Sequence, residues 1–410
     1  VVGVVAVLHG RRSGAPPDPA KLVVAAPPSD PTPARPRIAV RGVTDTRITL
    51  GMTAAFSGAS RELGNRMKLG IDTAFARIND AGGVAGRKLA LLALDDGYEG
   101  TRALANAREL IDQRGVFALI GDVGTPTTQQ VLPYVLASKV ILFGAFTGSG
   151  ILRRDPPDRY VFNYRASYDE ETARMVDYLI DVKRVPDGGI AVFAQNDGYG
   201  DAGYDGATKT LRRRGRDDDV LRVGYDRNTL AVDEAVNRVV EYHRKHPVKA
   251  IIMVATYKAA ARFIQRIRDR GLDALVLNVS FVGSNALAEE LRERGSDYSR
   301  DVIVTQVVPH YESSAAGVAR YRDALRAYHP DQHADFVSFE GFVVGELFAD
   351  GVRKAGRELD TETLVDALEQ LQGVDSAGGS LGFTGSQHQA SHRVWLTQLD
   401  EHGEFRSIDE

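Results

Sequence analysis

The chain has 410 residues, 43% of them hydrophobic and 26% charged, with a formal net charge of -4. This length predicts two or three domains, and the composition is that of a soluble globular protein. Charges of both signs are interspersed and leave no basic surface for nucleic acid, while the absence of cysteine excludes thiolate catalysis, disulfides and cysteine-bound metals.

The first 45 residues differ in composition from the rest. Residues 1–8 are apolar but too short to span a bilayer. They are typical of the end of a signal peptide's apolar region or of a membrane anchor, and the alternative is a disordered apolar segment. Arg11 and Arg12 fit export poorly, because basic residues tend to stay cytoplasmic. Residues 13–36 are rich in Ala and Pro and predict an extended linker, so we expect a tethered or exported folded body.

The folded part begins near Thr46 with alternating strands and helices. A short strand at 48–52 precedes a helix at 62–80, whose apolar residues recur on one face and which Gly82 and Gly83 end. A strand at 89–94 and a helix through 103–111 follow. Such alternation with short loops predicts an α/β fold with parallel sheets and helices on both faces.

The central feature is the stretch from Val116 to Thr128. An apolar strand at 116–120 enters a Gly-rich turn at 121–124, and a helical pattern follows. Thr125 is the predicted N-cap and Pro126 the first helical residue. Free N–H groups and hydroxyls at the carboxyl end of a parallel strand form a cradle for a small anion such as a carboxylate. The alternative is an ordinary β-α turn, in which Gly, Thr and Pro are common.

The pattern then continues and repeats. A strand at 140–143 leads into the loop 144–150. A second α/β unit of similar size follows, with strands at 190–193, 221–225, 250–254 and 276–279 separated by helices. After a segment at 302–308 and an apolar helix at 336–352, a terminal hairpin at 394–399 turns at 400–403. These late elements predict that the chain returns to each unit instead of building a third domain.

The order of these motifs resembles the type I periplasmic binding proteins, and most of all the leucine/isoleucine/valine-binding receptors of ABC transporters. The likeness covers the chain from about residue 46 to its end. The motifs that carry it are F-S-G at 56–58, G-G-V-A-G-R-K-L at 82–89, D-D at 95–96, the stretch 120–128, A-F-T-G at 145–148 and Y-G at 199–200.

The resemblance implies two Rossmann-like lobes with parallel central sheets, three hinge crossovers and a ligand cleft between them. The lobes would comprise residues 46–165 with 308–382, and 166–307 with 383–410, after a segment and linker at 1–45. An open parallel sheet binds ligands at its strand carboxyl ends, which independently favours the same plan.

The resemblance also implies a set of ligand-binding residues. Thr125 matches the donor to a ligand carboxylate, and Ala145 and Thr147 match contacts from the next loop. In the second lobe, Tyr199 matches an aromatic residue that closes over the ligand. The remaining predicted contacts are Tyr257 or its neighbour Thr256, Asn285 at the position of an acid that pairs with a ligand ammonium, and Thr127 and Phe146 in the two first-lobe loops.

Two of these positions depart from the leucine-type receptors. Asn285 offers a hydrogen bond but no countercharge, so an α-ammonium would need Asp96, Asp122 or Asp197, although Asp122 is better explained as capping a neighbouring turn. The aromatic residue that the leucine-type receptors have near the position of Ser60 is also absent, and Leu63 lies there instead. We therefore expect a small carboxylate- or amide-bearing metabolite instead of an ordinary branched-chain amino acid.

Catalytic and metal-binding alternatives are weaker. Gly378, Ser380 and Gly382 match G-x-S-x-G, but a helix precedes the serine and a strand follows it, the reverse of a nucleophile elbow. His388 and His392 are four residues apart in a stretch that reads as an exposed loop, without a zincin glutamate. Neither a P-loop nor a dinucleotide motif follows a strand, and Arg212–Arg214 reads as a solvated helix end. We expect no enzyme activity, cofactor or metal.

The sequence therefore predicts an extracytoplasmic, periplasmic receptor that delivers a small solute to the permease of an ABC importer. It would bind no nucleic acid and would meet the membrane only through an amino-terminal tether, if one is retained. Two alternatives remain open, namely the sensor domain of a membrane-anchored signalling receptor and an α/β hydrolase.

Overall fold

The structure is a computed structural model that describes residues 1, 39–216, 220–375 and 379–408. The predicted apolar start, the basic pair and the linker at 2–38 lie outside the described residues, as does Gly378. Residues 40–410 form a unit of their own. Within the described ranges, we find no helix with both the length and the apolar character needed to cross a membrane.

The first lobe is built on a five-stranded parallel sheet of order β2-β1-β3-β4-β5. Helices follow the first three strands, as the alternating pattern predicts. The elements are β1 (Arg47–Ala54), α1 (Arg61–Asp80), β2 (Lys88–Asp95), α2 (Gly100–Arg108), β3 (Ala118–Ile120), α3 (Thr125–Ala137), β4 (Ile141–Phe143) and β5 (Val161–Phe162).

The second lobe repeats the alternation. Its elements are α4 (Tyr168–Asp177), β6 (Ile190–Gln195), α5 (Gly198–Arg213), β7 (Leu221–Tyr225), α6 (Asp233–Lys245), β8 (Ala250–Val254), α7 (Tyr257–Asp269), β9 (Leu275–Asn278), α8 (Ser284–Arg292) and β10 (Val302–Gln306). The strands are nearly all buried, because helices cover both faces of a parallel sheet.

The chain then returns to the first lobe and finally to the second. The returning elements are α9 (Ala316–Tyr328), α10 (Phe336–Ala355), α11 (Thr361–Glu369), β11 (Val374–Asp375) and β12 (Ser380–Leu381). The last hairpin, β13 (Trp395–Leu399) and β14 (Phe405–Ser407), adds two antiparallel strands to the second sheet, whose order is β14-β13-β10-β9-β8-β6-β7. The second sheet therefore combines the predicted parallel strands with the predicted terminal hairpin, which joins it as an antiparallel edge.

The third passage between the lobes comes later than the predicted boundary at 383. The ring of Phe383 packs 6.1 Å from that of Phe143 in the first sheet. His388 Nδ1–H donates a 2.9 Å hydrogen bond to the carbonyl of Val161, next to its stacked contact with Phe162. Residues 383–390 thus lie beside the first sheet, and the chain crosses after them.

Close packing of α1 on α10 sets one edge of the gap between the lobes. A Cβ added to Gly70 would lie 1.9 Å from the carbonyl oxygen of Ser338, and one added to Gly341 would lie 2.3 Å from that of Met67. Only glycine permits this approach of two backbones. The helices run side by side from their first turns, so Arg66 of α1 comes within 3.8 Å of Asp335, the N-cap of α10.

Candidate functional site

Two threonines meet where β3 and β4 end. The hydroxyl oxygens of Thr125 and Thr147 are 2.7 Å apart, and the two residues are 1% and 0% exposed. Thr125 opens α3, and Thr147 lies in the loop after β4, beside the buried Ala145 and Phe146. The structure thus brings Thr125, Ala145, Phe146 and Thr147 together at the carboxyl edge of the sheet, the edge at which open parallel sheets bind ligands.

The turn before α3 differs in detail from the prediction. Gly124, not Thr125, is the N-cap, with φ at 106°, and a Cβ there would lie 2.3 Å from the ring of Tyr98. Thr127 is turned to the backbone, since its hydroxyl donates to the carbonyls of Val123 at 2.5 Å and Gly124 at 2.9 Å. The predicted N-cap is therefore wrong because this geometry favours glycine, and the Thr127 hydroxyl supports the turn.

Asp122 lies beneath this turn. Its Oδ1 accepts a hydrogen bond from the backbone N–H of Thr53 at 3.0 Å, and it is 1% exposed. Burial, aided by nearby Asp96, raises the pKa of Asp122 well above its usual range. Burial also raises the pKa of Asp96 to about 6, although that carboxylate accepts bonds from Thr53 and from Tyr98 N–H. Both acids tie strand ends together, in agreement with a structural role for Asp122.

Arg153 positions the loop after β4, and sequence reasoning did not single it out. Its guanidinium donates to the carbonyls of Thr147 at 3.3 Å, Ser149 at 2.9 Å and Arg165 at 2.9 Å. Burial lowers the pKa of Arg153 to about 10, and Arg165 adds to the effect. A lone arginine after a loop carries no local signal for this contact, which depends on the loop folding back.

Tyr199 occupies the facing edge of the second lobe. Asp197 caps α5 by accepting from the Tyr199 N–H at 3.0 Å, which sets the first helical turn. The Tyr199 ring centroid lies 4.8 Å from that of Phe281, and Phe281 lies 5.1 Å from Phe146 of the first lobe. Gln195 also reaches across, donating to the Tyr98 hydroxyl at 3.3 Å. The lobes are therefore in contact directly beside the threonine pair.

This contact covers the threonines. A Cβ added to Gly198 of the second lobe would lie 3.8 Å from Cγ2 of Thr125. Phe281 of the second lobe and Phe146 of the first pack against each other alongside. The two lobes are thus closed over the hydroxyl pair of Thr125 and Thr147.

Tyr257 and Asn285 lie next to α1. Tyr257 is 2% exposed, and burial raises the pKa of its hydroxyl to about 12 although the backbone of Glu62 lies close enough to oppose the shift. The side-chain amide of Asn285 donates to the Tyr311 hydroxyl at 3.1 Å. Asn285 lines a cavity of about 80 Å³, here named the α1–α8 cavity, with Leu63, Arg66 and Asp335 from the first lobe and Gly283 and Glu289 from the second.

The other predicted ammonium partner, Asp197, is already engaged at the exposed edge of the gap. Arg227 lies 3.2 Å from Asp197 in its own lobe and 3.1 Å from Glu99 in the first. Asn228 donates to the Gly97 carbonyl at 3.1 Å and to Glu99 at 2.6 Å. These polar contacts join the lobes at a partly exposed edge of the gap.

Arg165 joins the lobes in the interior. It lies on the first crossover, is 0% exposed, and its guanidinium is 3.2 Å from Glu171 of α4 and 3.7 Å from Glu340 of α10. It also donates to Ser280 and lies 4.7 Å from the Phe146 ring centroid. Burial disfavours its charge, but Glu340 and Glu171 more than offset this and raise the pKa of Arg165. No sequence motif indicated this ion cluster.

The catalytic and metal alternatives receive no support from the geometry. Ser380 lies on the two-residue strand β12, and no helix follows it directly. His388 stacks on Phe162 at 4.0 Å, so its predicted place in an exposed loop is wrong, whereas His392 pairs with Glu170 at 2.6 Å. Across the part of the chain that is described, the structure contains no group of three His, Asp or Glu side chains suited to a metal ion.

Comparison with known proteins adds a consistent set of likenesses. Residues 47–404 match the family described as periplasmic binding protein. A Leu/Ile/Val-binding protein homolog from Brucella melitensis biotype 1 is 23% identical over 340 residues, which are 82% of this chain and 87% of that protein. This relative is named as a binding protein.

Solved structures show the same architecture. A possible leucine/isoleucine/valine-binding protein from Rhodopirellula baltica is 37% identical, with a TM-score of 0.84 over 89% of this chain and 97% of that one. A branched chain amino acid ABC transporter from Thermus thermophilus with bound valine is 16% identical and superposes with a TM-score of 0.75, covering 90% of this chain and 97% of its own. The second likeness concerns the fold alone. Together they confirm the predicted two-lobed α/β fold class.

Proposed function

Since the chain belongs to the periplasmic binding protein family, in its type I, leucine/isoleucine/valine-binding branch, we propose that it is the extracytoplasmic solute receptor of an ABC importer. The named relatives are binding proteins, and the expectation that the chain is not an enzyme is confirmed by them. The permease would be its partner. The observation that carries this proposal is the hydroxyl pair of Thr125 and Thr147, which faces the second lobe across the gap.

The solute is proposed to be a small amino-acid-like or carboxylate- or amide-bearing metabolite. When the lobes open, the Thr125–Thr147 pair becomes accessible at the amino end of α3, where one hydroxyl proton joins the two oxygens and the other can be donated to the solute. Hydrogen bonds to a charged group contribute roughly 1.5–3 kcal/mol each, and a helix N-terminus adds ~0.3–1 kcal/mol. Two or three such contacts are enough for a micromolar site, which needs about -8 kcal/mol. Ala145 and Phe146 would form the adjacent wall.

Closure over the solute would use the second lobe. The Asp197 cap fixes the first turn of α5, from which Tyr199 would cover the threonines, and Phe281 would move with it. Tyr257 and Asn285 would contact the solute from the side of α1, while Thr127 would act through the shape of the turn. Exclusion of water by closure strengthens each hydrogen bond to the solute.

The experiment is a thermal-shift screen of amino acids, aromatic acids and short amides, followed by small-angle scattering with each compound that raises the melting temperature. We expect compaction on binding, since open lobes must close. A protein whose radius stays constant at saturation with a stabilising compound would contradict the proposal.

Substitution of Thr125 and Thr147 tests the site itself. Thr125→Val and Thr147→Val should each weaken binding by about 1–3 kcal/mol, because a buried ligand oxygen loses its donor while the side chain keeps its shape. Thr101→Val, at an exposed position of α2, is the matched control. If both site variants bind as tightly as this control in isothermal titration, the site lies elsewhere.

A further inference from the structure

The outer edge of the first sheet is formed by β2, a strand of 8 residues that has a neighbouring strand on one side only. Between Lys88 and Asp95 at its two ends, every residue is leucine or alanine. An edge strand presents unpaired backbone groups to any other strand, and proteins usually protect it by making it short or by placing charges on it. The interior of β2 carries neither protection.

The other sheet edges are protected in these ways. At the far edge of the first sheet, β5 has 2 residues. In the second sheet, the edge strand β14 has 3 residues with Arg406 in the middle, and the other edge strand, β7, contains Arg222, which pairs with Asp201 at 2.6 Å. Among the strands that the structure describes, β2 alone combines length with an uncharged interior.

The backbone of β2 alternates between its two sides. The N–H group of Lys88 donates to the carbonyl of Thr46 at 2.9 Å, and that of Asp96, just after the strand, donates to the carbonyl of Ala54 at 2.9 Å. Even-numbered residues thus bond to β1. In such a ladder the residues in between direct their N–H and C=O groups to the opposite side, so the odd-numbered residues of β2 face outward.

Side chains of the first lobe satisfy the two ends of this outward edge. The amide of Asn79 accepts from the N–H of Leu89 at 2.8 Å and donates to its carbonyl at 2.9 Å, while a guanidinium of α2 donates to the carbonyl of Asp95 at 3.1 Å. The outward groups of Leu91 and Ala93 have no hydrogen-bond partner among the described residues. The middle of the edge is therefore left for another strand.

Leu92 supplies a second, independent observation. It lies between the two unpaired residues and is 38% exposed, although it belongs to a sheet whose other strands are mostly buried. Only a few large hydrophobic side chains of the described part of the chain are as exposed as this one. An exposed leucine flanked by free N–H and C=O groups is typical of a surface that another strand covers.

We propose that a second copy of this chain pairs with β2, antiparallel and about a two-fold axis through Leu92. In this register, Leu91 of one copy lies opposite Ala93 of the other, and the two residues exchange both N–H···O=C bonds. The axis repeats the exchange, so every free group of both edges gains a partner. The two Leu92 side chains meet on the axis at a non-hydrogen-bonded position, where opposite side chains approach most closely.

The strand is complementary to itself in this register. With the axis at Leu91, Ala93 would face Leu89, which is already bonded within its own lobe; with the axis at Ala93, Leu91 would face Asp95, whose carbonyl already accepts a bond. The ends of β2 carry opposite charges, on Lys88 and Asp95. Antiparallel pairing therefore places the basic end of each strand beside the acidic end of the other, whereas parallel pairing would bring like ends together. Such self-complementarity identifies a second copy as the occupant.

This pairing goes beyond the proposed function and does not depend on it. Since β1 separates β2 from β3, the turn that leads to Thr125 takes no part in the pairing. The second lobe contributes no residue to it either. The result is a symmetric dimer joined through its first lobes, in which each copy keeps its own hydroxyl pair.

Sedimentation velocity over a wide range of protein concentration tests the pairing. The wild-type chain is compared with Leu92→Lys and with Leu230→Lys, the matched control, since Leu230 is 48% exposed in a loop of the second lobe. We expect the dimer fraction of the wild type and of Leu230→Lys to rise with concentration by mass action. Leu92→Lys should stay monomeric, because two like charges would face each other on the axis. Both positions are exposed, so we expect both variants to fold with unchanged melting temperature.

Hydrogen–deuterium exchange of the wild-type chain tests the register without any variant. The amides of Leu91 and Ala93 should exchange several-fold more slowly where the dimer dominates than where the monomer does, while the amides of the edge strand β7 should not change. A wild-type chain that stays monomeric, a Leu92→Lys variant that dimerises like the wild type, or a dimer with unprotected β2 amides would each overturn the proposal. So would protection of these amides in the monomer, which would show that another part of the same chain covers the edge.

Discussion

Arg165 and Arg227 both join the two lobes, but Arg165 does so out of reach of solvent and Arg227 does so at an exposed edge. The Arg165 side chain is 1% exposed between Glu171 and Glu340, whereas Arg227 and Glu99 are 27% and 43% exposed. Water screens the second pair and not the first. An Arg–Glu ion pair therefore contributes differently to stability at the two edges of the gap.

This difference assigns the two contacts different roles. The Arg165 cluster includes hydrogen bonds to Glu171 from Ser280 N–H at 2.7 Å and from the Thr305 hydroxyl at 2.5 Å, so its charges are fixed on the crossover side. The Arg227 contacts form between flexible side chains that can re-solvate when separated. We infer that the lobes separate at the Arg227 edge and pivot about the Arg165 edge.

Removal of the buried guanidinium should have the largest effect. Arg165→Met leaves Glu171 and Glu340 buried without their countercharge, and we expect a loss of about 3–5 kcal/mol in the free energy of unfolding. Urea unfolding at neutral pH measures it. A change under about 1 kcal/mol would mean that the cluster is as dispensable as a surface pair.

The pH dependence of stability should report the same cluster. Burial raises the pKa of Glu340 from 4.5 to about 7, against the opposing effect of Arg165. A carboxyl whose folded pKa is raised contributes stability that is fully present below its unfolded pKa and is lost as the pH rises through the folded one. Stability should therefore fall from about pH 4.5 to above pH 7 in the wild type.

Glu340→Gln removes this titration. In urea unfolding across the same pH range, its stability should decline less than that of the wild type. Glu346, also on α10, pairs with Arg77 and Arg320 outside this cluster, and Glu346→Gln serves as the comparison. Parallel pH profiles for Glu340→Gln and the wild type would show that Glu340 does not titrate in this window.

The exposed pair should contribute least. Arg227→Ala removes a contact expected to stabilise by about 0.2–1 kcal/mol, and the effect should shrink between about 0.05 and 0.5 M NaCl because salt screens exposed charges. Urea midpoints at the two salt concentrations measure this. If Arg227→Ala lost as much stability as Arg165→Met, or if its loss did not change with salt concentration, the two edges could not be distinguished.

Much of the fold was open to sequence reasoning. Apolar runs of strand length, amphipathic helices and Gly-containing loops are local signals, and they located β1, α1, β8 and the final hairpin to within a few residues. The same signals put Thr125, Thr147 and Tyr199 in loops at strand ends. The N-cap of α3 was misplaced by one residue, because the choice of Gly124 depends on the Tyr98 ring packed against it.

The sequence by itself determined the alternation of strands and helices, the order of the lobes and which loops carry hydroxyls and tyrosines, since each depends on residues near one another in the chain. Only the tertiary structure decided which charges meet. Arg165 finds Glu340, and Glu289 shares a cavity with Asp335, through helix packing between segments far apart in sequence. Such long-range pairs leave no periodic pattern in the sequence, because the charged residues become buried and approach each other only once the lobes have folded and closed.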